Sequence, residues 1–318
     1  MLKKPAIAIT MGDPAGIGPE IVLKAVAEPE FTRNFNCTIV GDATYLKRVA
    51  DALSLSSEIF DCVKIEDRGI LTESFTVGVD AAVTGRASAE YIVRAVEMWR
   101  QGKIDAVATA PISKAAIKLG GYDYPGHTEF LAELTSTDRF AMSFFAGDLR
   151  VVLLSTHLSL RDAIEKVKAG PIAELIRFTD EQLKRLLGRA VKIAVAGLNP
   201  HASEGGLFGS EEADEIIPAI EQCRNDGINV SGPYAPDTVF HRCSKGEFDV
   251  VIALYHDQAT IPVKSIAFNS GVNVTLGLPL IRTSVDHGTA FDIAGKGIAD
   301  EASMKAAIKL AAELASYK

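Results

Sequence analysis

The sequence lacks the features of several specialised classes of protein. No apolar stretch among its 318 residues approaches the length of a membrane-spanning helix. No cluster of lysine and arginine is large enough to neutralise a phosphate backbone, and the formal net charge is −8, so we do not expect nucleic-acid binding. The first residues include two lysines but run directly into an apolar segment and a glycine-rich turn, which is not typical of a signal peptide.

Cysteine is scarce and has no motif spacing. The four thiols are scattered and form no CxxC pair: Cys37, Cys62, Cys223 and Cys243. This pattern favours reduced thiols in a cytoplasmic protein over a disulfide framework. Hydrophobic residues make up 47% of the chain, which is enough for a large core, and the length favours two domains.

Strand-like and helix-like segments alternate along the chain. The apolar run Ala6–Thr10 predicts a buried strand, whereas the apolar spacing in Ser88–Arg100 and Ala302–Ser316 predicts amphipathic helices. Two further runs, separated by a connection of hairpin length, predict paired strands: Ala141–Phe145 and Val151–Ser155. The alternation is typical of an α/β fold with mixed strand pairing and helices on both faces of the sheets.

Three of the six histidines follow strand-like apolar runs. The runs are Val151–Ser155, Val191–Ala196 and Asp249–Leu254, and the histidines that follow them are His157, His201 and His256. Ligands of open α/β sheets bind beyond the carboxyl ends of strands, so the pattern places three imidazoles where sites are built. Three neutral imidazoles suit a divalent ion such as zinc, with one position left for substrate. The alternative is that each histidine is an ordinary polar residue at the end of a buried strand.

A glycine-rich segment, Gly12–Pro19, lies between the first predicted strand and a helix that begins near Pro19. Such a turn can direct backbone N–H groups and the positive end of a helix toward a phosphate. The segment does not have the GxGxxG spacing, so it does not indicate a dinucleotide site of that type. A tight turn whose glycines are needed for packing is the alternative.

The segment Gly126–Glu129 opens another predicted helix. Thr128 and Glu129 could simply cap that helix. The functional interpretation is that His127 and Thr128 donate hydrogen bonds to an anionic substrate at the start of the helix.

Polar side chains interrupt the otherwise apolar segment Pro262–Thr283. Lys264, Asn273 and Arg282 are costly to bury there unless each has a partner. An anionic ligand is one such partner, because arginine binds carboxylate or phosphate with two parallel hydrogen bonds. Internal salt bridges are the alternative.

The most distinctive string is Asp286-His-Gly-Thr-Ala-Phe-Asp-Ile-Ala-Gly-Lys-Gly297. It resembles the His-Gly-Ser-Ala-Pro-Asp-Ile-Ala-Gly-Lys loop of isocitrate and isopropylmalate dehydrogenases, which holds the adenosine half of the nicotinamide cofactor. The resemblance implies a cofactor loop that includes His287, Gly288 and Thr289, with Asp292 bound to a ribose hydroxyl. A carboxylate at that position would repel a 2′-phosphate, so NAD is expected rather than NADP.

Six strings together resemble the 4-hydroxythreonine-4-phosphate dehydrogenase family of vitamin B6 synthesis. They occur in the family's order and cover almost the whole chain: Met-Gly-Asp-Pro-Ala-Gly-Ile-Gly-Pro-Glu, Pro-Gly-His-Thr-Glu-Phe, Ser-Thr-His-Leu-Ser-Leu, Leu-Asn-Pro-His-Ala, Tyr-His-Asp-Gln and Gly-Leu-Pro-Leu-Ile-Arg-Thr-Ser-Val-Asp-His-Gly-Thr-Ala. The resemblance implies two α/β/α domains with the active site in the cleft between them, as in isocitrate and isopropylmalate dehydrogenases. Residues 1–130 with 265–318 would form the cofactor-binding domain, and 131–264 would carry the metal ligands and the dimer contacts.

The same resemblance implies roles for individual residues. One divalent ion per site, zinc in first place and magnesium, manganese or cobalt as alternatives, would be bound across a homodimer interface by His157, His201 and His256. The implied substrate contacts are His127, Thr128, Lys264, Asn273 and Arg282. Lys264 is the candidate for proton transfer or anion binding, and Asp257 could orient a metal ligand.

The resemblance implies NAD-dependent oxidation of 4-phosphooxy-L-threonine, followed by loss of carbon dioxide to give 3-amino-2-oxopropyl phosphate. Many biosynthetic members begin with Pro-Gly-Glu-Pro where this chain has Met11-Gly-Asp-Pro14. The latter form also occurs in relatives that act on D-erythronate or D-threonate 4-phosphate, so these substrates are the first alternative. A phosphate acyltransferase of similar architecture and a non-catalytic phosphate-binding module are minor alternatives.

Overall fold

A computed structural model describes residues 4–268 and 270–317 of the chain. The described residues form two compact units, one within Met1–Phe140 and Leu278–Ser316 and the other within Ala141–Gly277 and Tyr317–Lys318. None of the helices in the described part of the chain has both the length and the apolar character needed to span a bilayer. The sequence predicts a division by function, with residues 1–130 and 265–318 in the cofactor-binding domain and 131–264 in the other. These compact units do not test that functional assignment, which remains a prediction.

The strands are short and most of their side chains are buried. In chain order they are β1 (Ala6–Thr10), β2 (Asn36–Gly41), β3 (Lys64–Asp67), β4 (Ala106–Thr109), β5 (Ala141–Ala146), β6 (Leu149–Leu153), β7 (Ile193–Ala196), β8 (Val230–Tyr234), β9 (Val250–Ala253), β10 (Val272–Leu276) and β11 (Ile281–Ser284).

Helices occupy most of the connections between the strands. In chain order they are α1 (Gly18–Ala27), α2 (Pro29–Asn34), α3 (Ala43–Ala52), α4 (Ile59–Cys62), α5 (Ala82–Arg100), α6 (Lys114–Leu119), α7 (His127–Leu134), α8 (Leu160–Glu165), α9 (Ala169–Leu187), α10 (Ile217–Asn225), α11 (Val239–Ser244), α12 (His256–Ala267) and α13 (Ala302–Ser316).

The first unit contains strands in the spatial order β3–β2–β1–β4–β11, and each neighbouring pair is parallel. Helices α5 and α13 pack against these strands. Because β1, β4 and β11 are parallel neighbours, their carboxyl ends lie at the same edge of the sheet. Arg282, the second residue of β11, is opposite Val107 of β4, two residues from Thr109 at the end of that strand.

The second unit has the strand order β10–β5–β6–β9–β7–β8. The predicted hairpin is confirmed, because β5 and β6 pair antiparallel through a two-residue turn in which Gly147 has a φ of +60°. Strands β6, β9 and β7 are parallel neighbours, and their buried side chains form the core together with α11 and α12. Helix α12 contacts β5, β6 and β9, so its last residues, 265–267, belong to the second unit.

The alternation of helices and strands confirms the predicted α/β fold class. Helix α13 has the predicted bounds, and α9 ends at Gly188, whose φ of +65° provides the left-handed helix end that glycine favours. Helix α5 begins six residues before the predicted start at Ser88. A π-helical turn, Glu212–Ile216, directly precedes α10.

The glycine-rich segment before α1 is tightly packed. Residues 11–20 are all buried, and Gly12 has a φ of +74°. A Cβ atom at Gly18 would lie 2.4 Å from the carbonyl oxygen of Met11, and one at Gly16 would lie 2.9 Å from Thr289. Close packing therefore requires glycine at both positions.

Candidate metal and substrate site

Two of the three predicted metal ligands lie together in the second unit. His157 follows β6, and His256 is the first residue of α12, just beyond β9. Because β6 and β9 are parallel neighbours, their carboxyl ends meet at one edge of the sheet. The two imidazole rings are 6.0 Å apart between centroids. The apolar runs of the sequence thus place these two side chains correctly at strand ends.

His201 follows β7, the neighbour of β9, and is the first residue of an unusual backbone segment. The φ angles of His201, Ala202, Ser203 and Glu204 are 53°, 54°, 63° and 46°. Such a left-handed turn costs non-glycine residues about 1–2 kcal/mol each. Strain of this kind persists only where surrounding contacts fix it, and it is concentrated at functional sites.

Glu212 fixes the chain that leads into the left-handed turn. Its carboxylate is buried and accepts hydrogen bonds from the backbone N–H groups of Leu198 and Asn199, at 2.8 and 2.7 Å. Its second oxygen accepts a hydrogen bond of 2.8 Å from the Asn199 side chain. Glu212 belongs to the π-helical turn before α10, a feature that is frequent at functional sites. Sequence reasoning missed this residue, because no local pattern links it to Leu198 and Asn199, which are 14 and 13 residues earlier.

Gln258 has a structural role that the sequence analysis did not predict. Its side-chain carbonyl accepts a hydrogen bond of 2.7 Å from the backbone N–H of Leu254, and its amide donates one of 2.7 Å to the carbonyl oxygen of Gly197. The side chain is buried. It therefore joins the end of β9 to the end of β7, the two strands that precede His256 and His201.

Imidazole nitrogens are suitable ligands for a divalent ion. The three histidines of a single subunit, however, do not form a common site. The Nδ1 atom of His256 lies 2.8 Å from a carboxylate oxygen of Asp257, a contact that holds the ring and favours Nε2 as a metal donor. His201 lies near a different carboxylate, with its Nδ1 4.0 Å from Asp237. Among residues 4–268 and 270–317, no group of three histidine, cysteine or acidic side chains is arranged to hold an ion. The three-histidine site remains a prediction.

A buried cation lies in the first unit. Arg282, on β11, is only 4% exposed, and its Nε and Nη2 atoms donate to the hydroxyl oxygen of Thr109 at 3.2 and 2.9 Å. Burial lowers the pKa of its guanidinium to about 9, and the negative charge of Glu129 acts in the opposite direction. The guanidinium is thus still charged at neutral pH, in surroundings that favour an anionic partner.

The positive charge of Arg282 acts on His127, the first residue of α7. Burial, together with the positive charge of Arg282, lowers the pKa of His127 well below the ordinary value of 6.5. The imidazole is therefore neutral at neutral pH. Its Nε2 atom is buried and has no hydrogen-bond partner among the described residues. Two residues that are far apart in the sequence are thus brought together, as the substrate prediction requires.

The remaining predicted substrate residues have different surroundings. Thr128 is half-buried in the first turn of α7, in the same unit as His127. Lys264 is exposed on α12, and Asn273 is half-buried on β10, both in the second unit. Their predicted contacts with substrate remain predictions.

The string predicted to bind the cofactor packs against the glycine-rich turn. The carbonyl oxygen of Thr289 accepts a hydrogen bond of 3.0 Å from the backbone N–H of Ile17. His287, Gly288 and Asp292 are exposed, and the ring Nδ1 of His287 lies 3.1 Å from the carbonyl oxygen of Gly288. An exposed carboxylate is accessible to a ribose, and the role of Asp292 remains a prediction.

Comparison with known proteins gives one consistent result. The model of the family described as pyridoxal phosphate biosynthetic protein PdxA matches residues 33–311. D-threonate 4-phosphate dehydrogenase of Cupriavidus necator is 45% identical, and the match covers 99% of this chain and 98% of that protein. 4-Hydroxythreonine-4-phosphate dehydrogenase of Geobacter metallireducens is 46% identical, with coverage of 99% and 97%. The crystal structure of 4-hydroxythreonine-4-phosphate dehydrogenase from Klebsiella pneumoniae has a TM-score of 0.89 at 41% identity and 98% coverage of both chains.

Proposed function

Because the chain belongs to the pyridoxal phosphate biosynthetic protein PdxA family, we propose that it is an NAD- and metal-dependent dehydrogenase of a 4-phosphorylated four-carbon hydroxy acid. The leading substrate is 4-phosphooxy-L-threonine. Oxidation of its C3 alcohol gives 2-amino-3-oxo-4-phosphooxybutanoate, which decarboxylates to 3-amino-2-oxopropyl phosphate. The observation that carries the proposal is the buried guanidinium of Arg282 beside the neutral imidazole of His127.

Arg282 is suited to bind a doubly charged group of the substrate. A buried guanidinium is costly unless anions or hydrogen-bond acceptors surround it, and the planar fork of arginine matches phosphate and carboxylate oxygens. With a pKa of about 9, the side chain keeps its charge at the pH of the cell interior. The hydroxyl of Thr109 accepts two of its N–H groups and so fixes the direction of the fork.

His127 complements Arg282 as a neutral partner. Because its imidazole is uncharged, it offers one donor and one acceptor without adding a second buried positive charge. Its buried Nε2 atom, which has no hydrogen-bond partner among the described residues, is available to a polar group of the substrate. Thr128, Lys264 and Asn273 are proposed to contact other polar groups of the same molecule.

The proposed cofactors supply the chemistry that side chains lack. When bound, NAD would supply a hydride acceptor for the C3 alcohol, and a divalent ion, zinc in first place, would supply a Lewis acid. Asp292 is proposed to hold a ribose hydroxyl, and the proposed metal ligands are His157, His201 and His256. Lys264 would take up or return a proton or bind an anionic group, and Asp257 would orient His256 through their 2.8 Å contact.

We further propose a homodimer in the cytoplasm, with the metal site shared between subunits. Large apolar side chains of the second unit are exposed in the segments that follow two predicted ligands, His201 and His256: Leu207 is 71% exposed, Ile261 64% and Phe268 80%. Exposed apolar surface of this kind is typical of a protein interface. An isologous dimer formed there would place histidines of both subunits at the interface.

A second candidate activity is oxidation of D-threonate 4-phosphate, or of the related D-erythronate 4-phosphate. It is favoured by the Cupriavidus necator relative, whose similarity to this chain equals that of the 4-hydroxythreonine-4-phosphate dehydrogenases. The two substrate types differ at C2, which carries an amino group in one and a hydroxyl in the other. Asp13 of the Met11-Gly-Asp-Pro14 motif is fully buried and accepts a 2.8 Å hydrogen bond from Ala15, so a structural role explains this residue.

The test is NADH formation, followed by absorbance, with each of the three phosphorylated acids and with added divalent metal. The leading proposal predicts the highest kcat/KM for 4-phosphooxy-L-threonine, by about tenfold or more, which corresponds to ~1.4 kcal/mol of transition-state stabilisation. The reverse order would establish the second candidate. Absence of NADH with all three substrates would contradict both and leave the acyltransferase and phosphate-binding alternatives.

A further inference from the structure

A cavity of 760 Å³ lies beside β3, at the edge of the sheet in the first unit. In the described part of the chain β3 pairs only with β2, so it is an edge strand. The wall of the cavity is built from β2, α3, α4, β3 and α5 and from the connections that follow α4 and α5. From the chemistry of this wall we infer that the cavity binds a phosphate monoester with an apolar body.

Three lysines of the wall come from different parts of the fold. Lys47 belongs to α3, Lys64 belongs to β3, and Lys103 follows α5. All three are exposed, and none has a hydrogen-bond or ion-pair partner for its ammonium group among the described residues. Lys24 and Lys305, in the same unit, do have carboxylate partners. Because an ammonium group is a compact point charge that suits phosphate, three of them around one cavity favour a phosphate ligand.

The carboxylates of the wall offset only part of this charge. Glu66 of β3 accepts a 2.8 Å hydrogen bond from Nε of Arg94, so it already has a cationic partner. Asp61 of α4 is exposed and is the second carboxylate of the wall. The wall thus has an excess of positive charge. A phosphate monoester, with a charge of about −1.5 to −2 near neutral pH, would balance this excess.

Much of the remaining wall is apolar. Val63 and Met98 are buried, and Phe60 and Ile65 are half-buried. The ring of Phe60 and the thioether of Met98 are both suited to contact a flat ring. Inorganic phosphate would leave this apolar surface in water, whereas a ring joined to the phosphate would cover it. The proposed substrate has no such apolar body, so the ligand of this cavity is a different molecule.

The cavity is separate from the predicted substrate residues of the first unit. Thr109 belongs to β4 and Arg282 to β11, and strands β2 and β1 lie between β3 and β4. None of the residues proposed to bind substrate, cofactor or metal lines the cavity. The inferred binding therefore does not depend on the proposed reaction.

Cys62 provides a local probe of occupancy for the first test. It lines the cavity and is exposed, whereas the other three thiols are buried. Alkylation of the full chain by iodoacetamide, an uncharged reagent, is followed by mass spectrometry with and without phenyl phosphate. At a ligand concentration of about ten times Kd, roughly nine tenths of the cavities are occupied, so we expect Cys62 to react about tenfold more slowly.

Two further anions separate the contribution of the phosphate from that of the ring. Inorganic phosphate has the charge without the ring, and benzoate has the ring with a single charge. Their affinities and that of phenyl phosphate are measured by titration calorimetry. We expect phenyl phosphate to bind about tenfold more tightly than either of them.

Substitutions in the wall form the second test. Lys64→Gln removes one charge at an exposed position, and Lys118→Gln, exposed in the same unit but outside the cavity, is its control. Ala43→Trp places a large ring in the wall, and Thr44→Trp adds the same ring at the neighbouring exposed position, which does not line the cavity. We expect Lys64→Gln to weaken phenyl phosphate binding about fivefold and Ala43→Trp about tenfold or more, and both controls to leave it unchanged.

The alkylation rate distinguishes this cavity from other phosphate sites. Phenyl phosphate bound only beside Arg282 would leave Cys62 as reactive as in the free protein, and this result overturns the inference. Equal affinity for phenyl phosphate and inorganic phosphate, or for phenyl phosphate and benzoate, also overturns it, as does an equal effect of Lys64→Gln and Lys118→Gln. Thermal unfolding verifies the fold of each variant, and Lys64→Gln provides the result if Ala43→Trp does not fold.

Discussion

The side-chain amide of Gln258 donates a 2.7 Å hydrogen bond to the carbonyl oxygen of Gly197, and thereby joins the carboxyl ends of β9 and β7. Its carbonyl oxygen accepts from the backbone N–H of Leu254. The chain segments that lead to His256 and His201 begin at these two points. One buried amide thus supports the backbone from which two predicted metal ligands extend.

Replacement of Gln258 by leucine is expected to lower the free energy of unfolding. The variant leaves two buried backbone groups without hydrogen bonds, at a cost of about 1–3 kcal/mol for each group. Urea unfolding measures the change. Gln222→Leu, at an exposed position of α10, is the control, with an expected effect within about 0.5 kcal/mol. An unchanged unfolding free energy in the Gln258 variant would show that water satisfies both groups.

A shared metal site predicts a pattern of complementation among three inactive variants. His157→Ala, His201→Ala and His256→Ala are each expected to lose bound metal and turnover. If one histidine comes from the partner subunit, the two mixtures that contain its variant regain activity, toward half of the sites in each heterodimer. The third mixture stays inactive, and its composition identifies the histidine that crosses the interface.

The controls for this experiment are verified subunit exchange and metal analysis of each variant. Recovery in none of the three mixtures, despite exchange, would argue that each site is built from one chain. Full metal content and activity in His201→Ala would exclude that residue as a ligand. A fully active monomer would exclude a shared site altogether.

The cofactor preference is expected to depend on Asp292. Its exposed carboxylate would accept a hydrogen bond from the ribose of NAD and repel the 2′-phosphate of NADP. Asp292→Asn should raise KM for NAD and reduce the preference for NAD over NADP by about tenfold, ~1.4 kcal/mol. Asp123→Asn, at an exposed position of the same unit, is the control. Equal use of NADP by the unmodified protein would refute the assignment.

The sequence predicted the parts of the site that depend on strand ends. Apolar runs locate β6 and β9, and because parallel strands end at one edge, they also place His157 near His256. The left-handed turn at His201 has no such local signal. Four consecutive non-glycine residues adopt a conformation that their own preferences disfavour, and a buried carboxylate, that of Glu212, fixes the chain before it. Tertiary contacts therefore decide this part of the site.

The segment Pro262–Thr283 shows a second limit of local patterns. It was recognised as apolar, but not as the end of α12 followed by β10 and β11. Polar residues such as Asn273 and Arg282 interrupt the periodicity within the strands. The environment of Arg282 depends on Thr109 and Glu129, which are more than 150 residues away in sequence. Composition could indicate that an anionic partner is needed, but not which residues complete the site.

The lowered pKa of His127 predicts a pH dependence of stability. Its native pKa lies well below 6.5, whereas the unfolded chain binds a proton near the ordinary value. As the pH falls below about 6.5, the unfolded state gains a proton that the native state does not accept, so the native state loses stability. For one proton the slope is at most about 1.4 kcal/mol per pH unit. His127→Gln should remove this contribution and flatten the curve between neutral pH and the native pKa.

Urea unfolding between pH 4.5 and 7.5, roughly two units below and one above the ordinary histidine pKa, tests this prediction on both proteins. The difference between the two curves isolates His127, because the other titrating groups are common to both. His241→Gln, at an exposed position of α11, is the matched control and should leave the pH dependence as it is in the unmodified protein. Replacing Arg282 by Met should raise the pKa of His127 in an NMR titration. The substitution removes the positive charge that helps to lower this pKa, while the effect of burial remains. Parallel curves for the unmodified protein and His127→Gln would show that the native imidazole accepts a proton as readily as the unfolded one.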